Sequence, residues 1–241
     1  MIEQNIISIL QNNSYAGRGI IIGTNQDATQ AIIAYFLMGR STNSRNRVFL
    51  EDGDGLLIKA FDESKLEDPT LIIYSPLRVL GNCTIVTNGD QTDTVYQYMQ
   101  EGKSFEEALR SRVYEPDAPN YTPRISGLVT CQDKSFTYKM SILKKQSPES
   151  EACQHNVFEY KACAGQGHFL HTYLGDGDPL PTFAGEPEVI SLKKIGQIDD
   201  FTDLLWNSLN NDNKVSLAVR YIDLSDGKWQ TRIINRNGGN K

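Results

Sequence analysis

The chain has 241 residues with 24 basic and 30 acidic side chains, which give a formal net charge of −6. This acidic balance argues against nucleic-acid binding driven by overall charge. With 39% hydrophobic and 22% charged residues, the composition is that of a globular protein and excludes disordered and fibrous chains. A chain of this length buries roughly 70% of its unfolded surface without needing disulfides or metals.

Neither a leader nor a membrane helix is expected. The chain starts without a basic segment followed by an apolar one, and no stretch has the roughly 18 apolar residues that a membrane span needs. We therefore expect a cytoplasmic protein without a membrane partner. The four cysteines form no CxxC pair, so they are expected to be reduced and structural.

The first 90 residues are rich in short β-type runs. Their lengths predict strands over residues 19–23, 31–38, 48–50, 56–60, 71–74 and 83–87. Turn residues at 24–27 and 53–55 predict a meander of hairpins. Helical patterns follow at 92–101 and after Ser104, where Ser104 and Glu107 match a capping box.

Sheet patterns return in the second half. A hairpin is predicted over 125–130 and 135–143, and a strand over 157–162. Residues 165–188, rich in Gly and Pro, are the best loop candidate. An amphipathic helix at 199–211 precedes a hairpin of 215–224 and 229–234 around Asp226 and Gly227.

This order of elements predicts the fold class. Blocks of strands followed by blocks of helices, twice over, favour an α+β fold with antiparallel sheets. Two sheets sandwiched between helical layers agree with that order. No repeat or long linker divides the chain, so residues 1–241 are expected to form a single domain.

An arginine-rich segment directly follows the apolar run that ends at Met38. Residues 16–47 contain four arginines against one aspartate, a local charge of +3. Such asymmetry indicates an anion site, since the planar fork of arginine suits phosphate. A polar turn with surface ion pairs is the alternative. The residues of interest are Arg18, Arg40, Ser41, Asn43, Arg45 and Arg47.

Two further segments carry candidate site residues. Asn88, Gly89 and Asp93 lie at a strand-to-helix junction, where free N–H groups can hold an anion or a carbonyl oxygen. A plain helix cap is the alternative there. Tyr121 and Arg124 flank Pro123, which fixes an extended approach, with a surface arginine as the alternative.

Metal and covalent chemistry have little support in the sequence. His168 and His171, with Cys163 nearby, lack the helical spacing of metalloprotease ligands, so no metal site is expected. No P-loop, complete GxGxxG or GxSxG motif is present.

Four motifs together resemble a known family. YAGRGIIIG, GRSxxSRNR, TNGDQTDT and YTPRISG, in this order, are similar to the archaeal-type IMP cyclohydrolase family and its bacterial relatives. The resemblance is good over residues 15–130. It implies closure of 5-formamidoimidazole-4-carboxamide ribotide (FAICAR) to IMP, the last step of purine synthesis, without a cofactor. It also implies a homo-oligomer, as a tetramer, and a four-layer αββα core like that of N-terminal-nucleophile hydrolases. Met1 and Ile2 offer no such nucleophile.

The resemblance suggests roles for the candidate residues. Arg40, Arg45 and Arg47 would bind the 5′-phosphate, with Ser41 and Asn43 as uncharged donors and Arg18 as a supplement. Asn88, the Gly89 backbone and Arg124 would stabilise the formyl oxygen. Tyr74 or Tyr121 would donate the proton, although Tyr74 also suits a packed strand end. Asp93 is a base or a helix cap.

Two other functions remain open. One is an amide hydrolase on the same scaffold, which needs an activated nucleophile or a metal. The other is a non-catalytic protein that binds purine nucleotides without converting them. Turnover of the formylated ribotide distinguishes the cyclohydrolase from both.

Overall fold

A computed structural model describes residues 3–66 and 69–238. The strands, in chain order, are β1 (Arg18–Thr24), β2 (Gln30–Met38), β3 (Arg47–Asp52), β4 (Gly55–Ala60), β5 (Leu77–Leu80), β6 (Cys83–Thr87), β7 (Arg124–Gln132), β8 (Ser135–Lys145), β9 (Cys153–Lys161), β10 (Gln166–His171), β11 (Glu188–Ser191), β12 (Lys214–Asp223) and β13 (Trp229–Asn235). The helices are α1 (Ile6–Asn12), α2 (Thr42–Arg45), α3 (Gln91–Gln100), α4 (Phe105–Arg110) and α5 (Ile198–Ser208), and a 3-10 turn spans Glu63–Lys65.

These strands form two antiparallel sheets. The first sheet has the order β11-β10-β1-β2-β12-β13, and the second has the order β3-β4-β5-β6-β7-β8-β9. Every paired strand within each sheet runs antiparallel to its neighbour. The expected α+β class with antiparallel sheets is therefore confirmed.

Three apolar clusters show how the layers pack. One cluster joins the two sheets, with Ile20 and Ile22 of β1 against Ile125 and Val129 of β7. A second packs α1 and α5 on the outer face of the first sheet, and a third packs α3 and α4 on the second sheet. This arrangement is compatible with a sandwich of two sheets between helices.

The alternation of side chains explains this layering. In β1 the isoleucines 20 and 22 face the second sheet, while Ile21 faces α1 and α5. Successive side chains on a strand point to opposite faces, so a strand covered on both faces is apolar throughout. That is why β2 is almost wholly buried along its length.

Two predicted elements are wrong. Residues 71–74 are not a strand: the Ile72 and Ile73 amides donate to the Pro69 carbonyl in a turn, over 3.1 and 2.9 Å. The segment 165–188 is not one loop, because β10 occupies its first part and pairs with β1. In the described residues, no helix is long and apolar enough to cross a membrane.

Candidate active site

The candidate site lies at one end of the layer between the sheets, where Arg18 opens β1 and Arg47 opens β3. In β1, Ile20 and Ile22 belong to the inter-sheet core, as Phe49 does in β3. Side chains two residues apart on a strand share a face, so both arginines point into the same layer. Two cations therefore close the end of an apolar core.

Both guanidinium groups are buried with donors left unused. Arg47 is 0% exposed, and its Nε donates to the Ser44 carbonyl oxygen over 2.8 Å. Its two Nη atoms, and the Nε of Arg18, have no hydrogen-bond partner within residues 3–66 and 69–238. Since native proteins pair nearly all buried polar groups, these donors indicate a place for an acceptor on a ligand.

Two tyrosines stand beside the arginines. The hydroxyls of Tyr35 and Tyr74 are 2.7 Å apart, and both rings belong to the inter-sheet core. Burial raises the pKa of both hydroxyls, although Arg47 and Arg18 lower that of Tyr74. Both side chains are therefore neutral phenols at physiological pH and can donate a hydrogen bond.

Glu115 adds a proton-carrying group. It is 1% exposed, and its Oε1 has no partner in the described part of the chain. Burial raises the pKa of this carboxyl to about 7, while Arg18 and Arg124 pull it down. A carboxyl with a pKa near neutrality can both give and accept a proton. We refer to Arg18, Arg47, Tyr35, Tyr74 and Glu115 as the arginine–tyrosine cluster.

The charges within this cluster act on one another. Burial lowers the pKa of Arg18, but Glu115 and the nearby tyrosines outweigh it and raise that pKa above its usual value. Burial and the charge of Arg18 both lower the pKa of Arg47. The unpaired Nη donors of Arg47 in the described chain favour an anionic or strongly polar ligand beside it.

Glu115 is held in place by its neighbours. Its backbone N–H donates to the Thr122 carbonyl over 2.9 Å. Arg124 Nε donates to the Val113 carbonyl over 2.9 Å and so anchors the segment that carries Glu115. A Cβ on Gly89 would lie 2.5 Å from Arg124 Nη1 and 3.5 Å from Glu115 Oε1, so a side chain at this position would have to displace the end of Arg124.

Asn88 and Gly89 lie immediately after β6, and their donors are used within the chain. The Asn88 amide donates to the Pro123 carbonyl over 2.9 Å and accepts from the Ile125 amide over 2.8 Å. The Gly89 N–H donates to the Thr87 hydroxyl over 3.2 Å. These bonds tie β6 to β7, and the role at the formyl oxygen stays a prediction.

Asp93 lies on the surface side of α3. It forms an ion pair of 2.6 Å with Arg78 of β5, and its side chain is 45% exposed. Among the described residues, no contact joins Asp93 to the arginine–tyrosine cluster. The N-cap residue of α3 is Asp90, whose side chain makes no capping hydrogen bond, and Asp93 lies in the first turn of the helix.

The arginine-rich segment divides in space. Arg40 is exposed, pairs with Asp176 over 2.6 Å and lies over the Tyr15 ring. Arg45 Nε donates to the Gly39 carbonyl over 2.9 Å. Only Arg18 and Arg47 of the four arginines enter the cluster, and phosphate binding by Arg40 and Arg45 would compete with these internal contacts.

The short helix α2 explains this division. Ser41 is its N-cap and exchanges capping-box bonds with Ser44. Asn43 lies in the helix, and its buried Oδ1 has no partner in the described chain. Because one helical turn separates Arg40 from Arg47, side chains that are close in sequence point in different directions.

Tyr121 sits one residue before Thr122, outside the cluster. Its φ of 45° is in the left-handed region, which is uncommon for a residue with a side chain. Its ring meets Tyr114 edge-on at 5.7 Å, and Lys145 Nζ lies 3.9 Å from its centre. Its predicted role as a proton donor remains a prediction.

His168 and His171 lie on opposite faces of β10. The Nδ1 of His168 is 2.5 Å from the Tyr138 hydroxyl, on the inter-sheet side. The Nε2 of His171 is 3.3 Å from Glu188 on the other side. An HxxH spacing on a strand separates the two rings, so they do not form a ligand pair.

Sequence reasoning missed two members of the cluster. Tyr35 lies inside an apolar run and carries no signal of its own. Glu115 stands alone between Tyr114 and Pro116 in an irregular segment. The one sequence feature that could have indicated Glu115 is its position shortly before the YTPR motif. In the structure its backbone N–H bonds the carbonyl of Thr122 in that motif.

Comparison with known proteins shows the family to which this chain belongs. A family model described as IMP cyclohydrolase-like protein matches residues 15–228. The chain belongs to this family. The match begins at the YAGRGIIIG motif. It extends well beyond residue 130, which is the end of the region over which the four motifs resemble the family.

Archaeal members of the family are similar over part of their length. The relatives named IMP cyclohydrolase from Methanocella arvoryzae and Methanosphaera stadtmanae are 33% and 28% identical over 120 and 142 residues. These matches cover 48% and 56% of this chain, and 58% and 69% of the relatives. The Methanococcus maripaludis C7 relative is 28% identical over 67% of this chain and 82% of its own length. The chain thus spans less than two thirds of the Methanocella relative.

Proposed function

We propose that the chain is an IMP cyclohydrolase, which closes FAICAR to IMP with loss of water. The observation that carries the proposal is a buried pair of arginines with unused donors beside a carboxyl with a pKa of about 7. Membership in the IMP cyclohydrolase-like family and the names of the archaeal relatives support the same activity.

The reaction requires few groups. The carboxamide nitrogen attacks the formyl carbon, a C–N bond forms, and the carbonyl electron pair moves to the formyl oxygen. The formyl oxygen takes up two protons, while the carboxamide nitrogen gives up one proton and the formamide nitrogen gives up the other. The C–O bond then breaks, a C=N bond forms between the formyl carbon and the formamide nitrogen, and the oxygen leaves as water. Holding both substituents in a reactive pose can contribute roughly 7–11 kcal/mol to the acceleration.

The arginine–tyrosine cluster fits each of these demands. The free Nη donors of Arg47 would stabilise the oxyanion on the formyl oxygen. Glu115, half protonated near pH 7, would protonate the departing oxygen and accept the proton of the nitrogen. Tyr74, bonded to Tyr35, would donate a second hydrogen bond to the same oxygen.

The remaining predicted residues would act around this centre. Arg124 would position the Glu115 segment through its bond to the Val113 carbonyl, while Asn88 and Gly89 would hold β6 against the start of β7. The similarity to N-terminal-nucleophile hydrolases, the single domain, the homo-oligomer and the cytoplasmic location belong to the same proposal. They rest on the family resemblance and on the sequence patterns.

The first prediction tests the function itself. Purified protein should convert FAICAR to IMP, followed by the absorbance of the fused purine ring. Arg47→Met should lower kcat by about 10²–10³-fold, because it removes the donors to the oxyanion. Arg232→Met, an exposed arginine of β13 that pairs with Asp199, is the matched control and should keep wild-type activity.

Circular dichroism of both variants separates lost chemistry from lost structure. If wild-type protein binds IMP but does not convert FAICAR, the proposed enzyme activity is wrong and the chain is a non-catalytic nucleotide-binding protein. Folded Arg47→Met protein with unchanged kcat would remove Arg47 from the chemistry.

A further inference from the structure

A further buried cation lies on β8. Lys144 is the last but one residue of β8 and is 9% exposed. Tyr138, Met140 and Ile142 of the same strand face the inter-sheet core, so alternation directs Lys144 to the same side. Its Nζ reaches only the Ala184 carbonyl, at 3.5 Å, and no carboxylate lies within ion-pair distance among the described residues.

Lys144 lines a cavity of about 390 Å³ together with Lys145. Twelve residues line it, among them Asn120, Tyr121 and Ser147, and none of the lining residues in the described chain is an aspartate or glutamate. Lys145 Nζ lies over the Tyr121 ring and reaches Glu151, 3.3 Å away outside this lining. We refer to this space as the lysine cavity. Lys145 has a counter-ion in Glu151, whereas Lys144 has no carboxylate within ion-pair distance in the described part of the chain.

The lysine cavity adjoins the arginine–tyrosine cluster. Tyr121 lines the cavity, and the next residue, Thr122, is paired through its backbone with Glu115. Tyr114, the neighbour of Glu115, packs edge-on against Tyr121. Consecutive Cα atoms are about 3.8 Å apart across a trans peptide, so the lining residue Tyr121 and the cluster's backbone partner Thr122 place the two spaces next to each other along the chain.

A buried ammonium without a counter-ion is costly, and an anionic ligand removes that cost. Lysine is a common partner of phosphate, acting as a point charge. Burial lowers the pKa of Lys144, which agrees with an ammonium that lacks a partner. A volume of about 390 Å³ is also within the range of small-molecule sites.

We propose that Lys144 and Lys145 bind the 5′-phosphate of the ribotide in the lysine cavity, while the arginine–tyrosine cluster holds its heterocycle. This inference rests on the proposed function and divides one substrate between two neighbouring spaces. It also explains why Arg40 and Arg45 can keep their contacts with Asp176 and Gly39.

The test compares FAICAR with its riboside, which lacks the phosphate. Wild-type protein should prefer the ribotide strongly. Lys144→Met should raise KM for the ribotide by about 10–100-fold, the range expected for a lost charge-assisted bond, with kcat changed little. The same variant should leave the riboside unaffected, and Lys144→Arg should restore part of the preference.

Two further variants serve as a control and as a substitute for Lys144→Met. Lys161→Met, an exposed lysine at the far end of β9, is the matched control and should behave as wild type. If Lys144→Met does not fold, Lys145→Met should show the same loss of preference to a smaller degree, because Lys145 retains Glu151 in the wild type. Equal losses on ribotide and riboside would overturn the phosphate site.

Binding separates this inference from the proposed function. Calorimetry with IMP and inosine needs no turnover: wild-type protein should bind IMP more tightly, and Lys144→Met should lose that difference. A wild type that distinguishes the two but does not convert FAICAR would refute the enzyme and keep the phosphate site. Equal binding of IMP and inosine by the wild type would refute the phosphate site alone.

Discussion

Glu115 is the residue whose environment says most about the chemistry. Its carboxyl is buried between cations, yet burial outweighs Arg18 and Arg124 and raises its pKa to about 7. A group tuned in this way is typical of acid–base sites, since the most effective catalytic pKa lies near the working pH. The same tuning has a consequence for stability.

The pH dependence of folding should report this carboxyl. A pKa raised from 4.5 to about 7 means that the folded state binds more protons between these values. The free energy of unfolding should therefore fall as pH rises through that window, by about 3 kcal/mol over its full width. Glu115→Gln should remove this fall, as measured by urea denaturation at pH 5 and pH 8.

An exposed carboxyl provides the control for that experiment. Glu63→Gln, on the surface in the 3-10 turn, should keep the wild-type pH dependence. Equal losses of stability between pH 5 and pH 8 in Glu115→Gln and in the wild type would show that Glu115 is not the group whose pKa is raised.

The sequence predicted the cluster only in part. The local charge of +3 indicated an anion site and led to Arg18 and Arg47, but it also indicated Arg40 and Arg45, whose donors are used elsewhere. Charge counts do not give direction, and α2 turns the chain between these residues. Glu115 became significant only once the fold buried it.

At the scale of elements, the helix α4 depends on its capping box. Ser104 Oγ accepts from the Glu107 N–H over 3.2 Å, and the Glu107 carboxylate accepts from the Ser104 N–H over 2.7 Å. These reciprocal bonds satisfy two amides that a helix start otherwise leaves open. The box was predicted from sequence and is confirmed.

Ser104→Ala should lower the free energy of unfolding by about 1 kcal/mol, within a range of about 0.5–2 kcal/mol. The reason is the loss of the cap on an amide that begins a short helix. Ser135→Ala, an exposed serine at the start of β8, serves as the control and should change stability by less than about 0.5 kcal/mol. Denaturant unfolding measures both, and equal effects would contradict the capping role.

The two wrong elements have physical reasons. The run 71–74 is apolar because it covers the end of the core, with Tyr74 in the inter-sheet cluster, although its backbone turns back on Pro69. β10 begins with Gln166 and Gly167, and the glycine suggested a loop. Gly167 is needed in the strand, because a Cβ there would lie 2.8 Å from the Ile22 carbonyl.

At the scale of the whole molecule, the cluster exists because the two sheets approach closely. Gly127 in the middle of β7 faces the first sheet, and a Cβ there would lie 2.5 Å from Ile22 Cδ1 and 3.0 Å from Val86 Cγ1. Sequence patterns predicted the strands but not this distance, because the spacing depends on which side chains meet across the layer. The site at the end of this layer combines residues of β1 and β3, which belong to different sheets, so local sequence patterns could not predict it either.

Gly127→Ala should therefore destabilise the protein by about 1–3 kcal/mol, the usual cost of overpacking a core. The added methyl has to push Ile22 or separate the sheets, and separation would also pull Arg18 away from Arg47. Activity on FAICAR should fall with stability for this reason. Gly175→Ala is the matched control, since the nearest atom to its Cβ is 4.0 Å away, and it should change stability by less than about 0.5 kcal/mol. Calorimetry of both variants measures the difference, and a Gly127→Ala protein as stable as wild type would mean that the layer is looser than its contacts indicate.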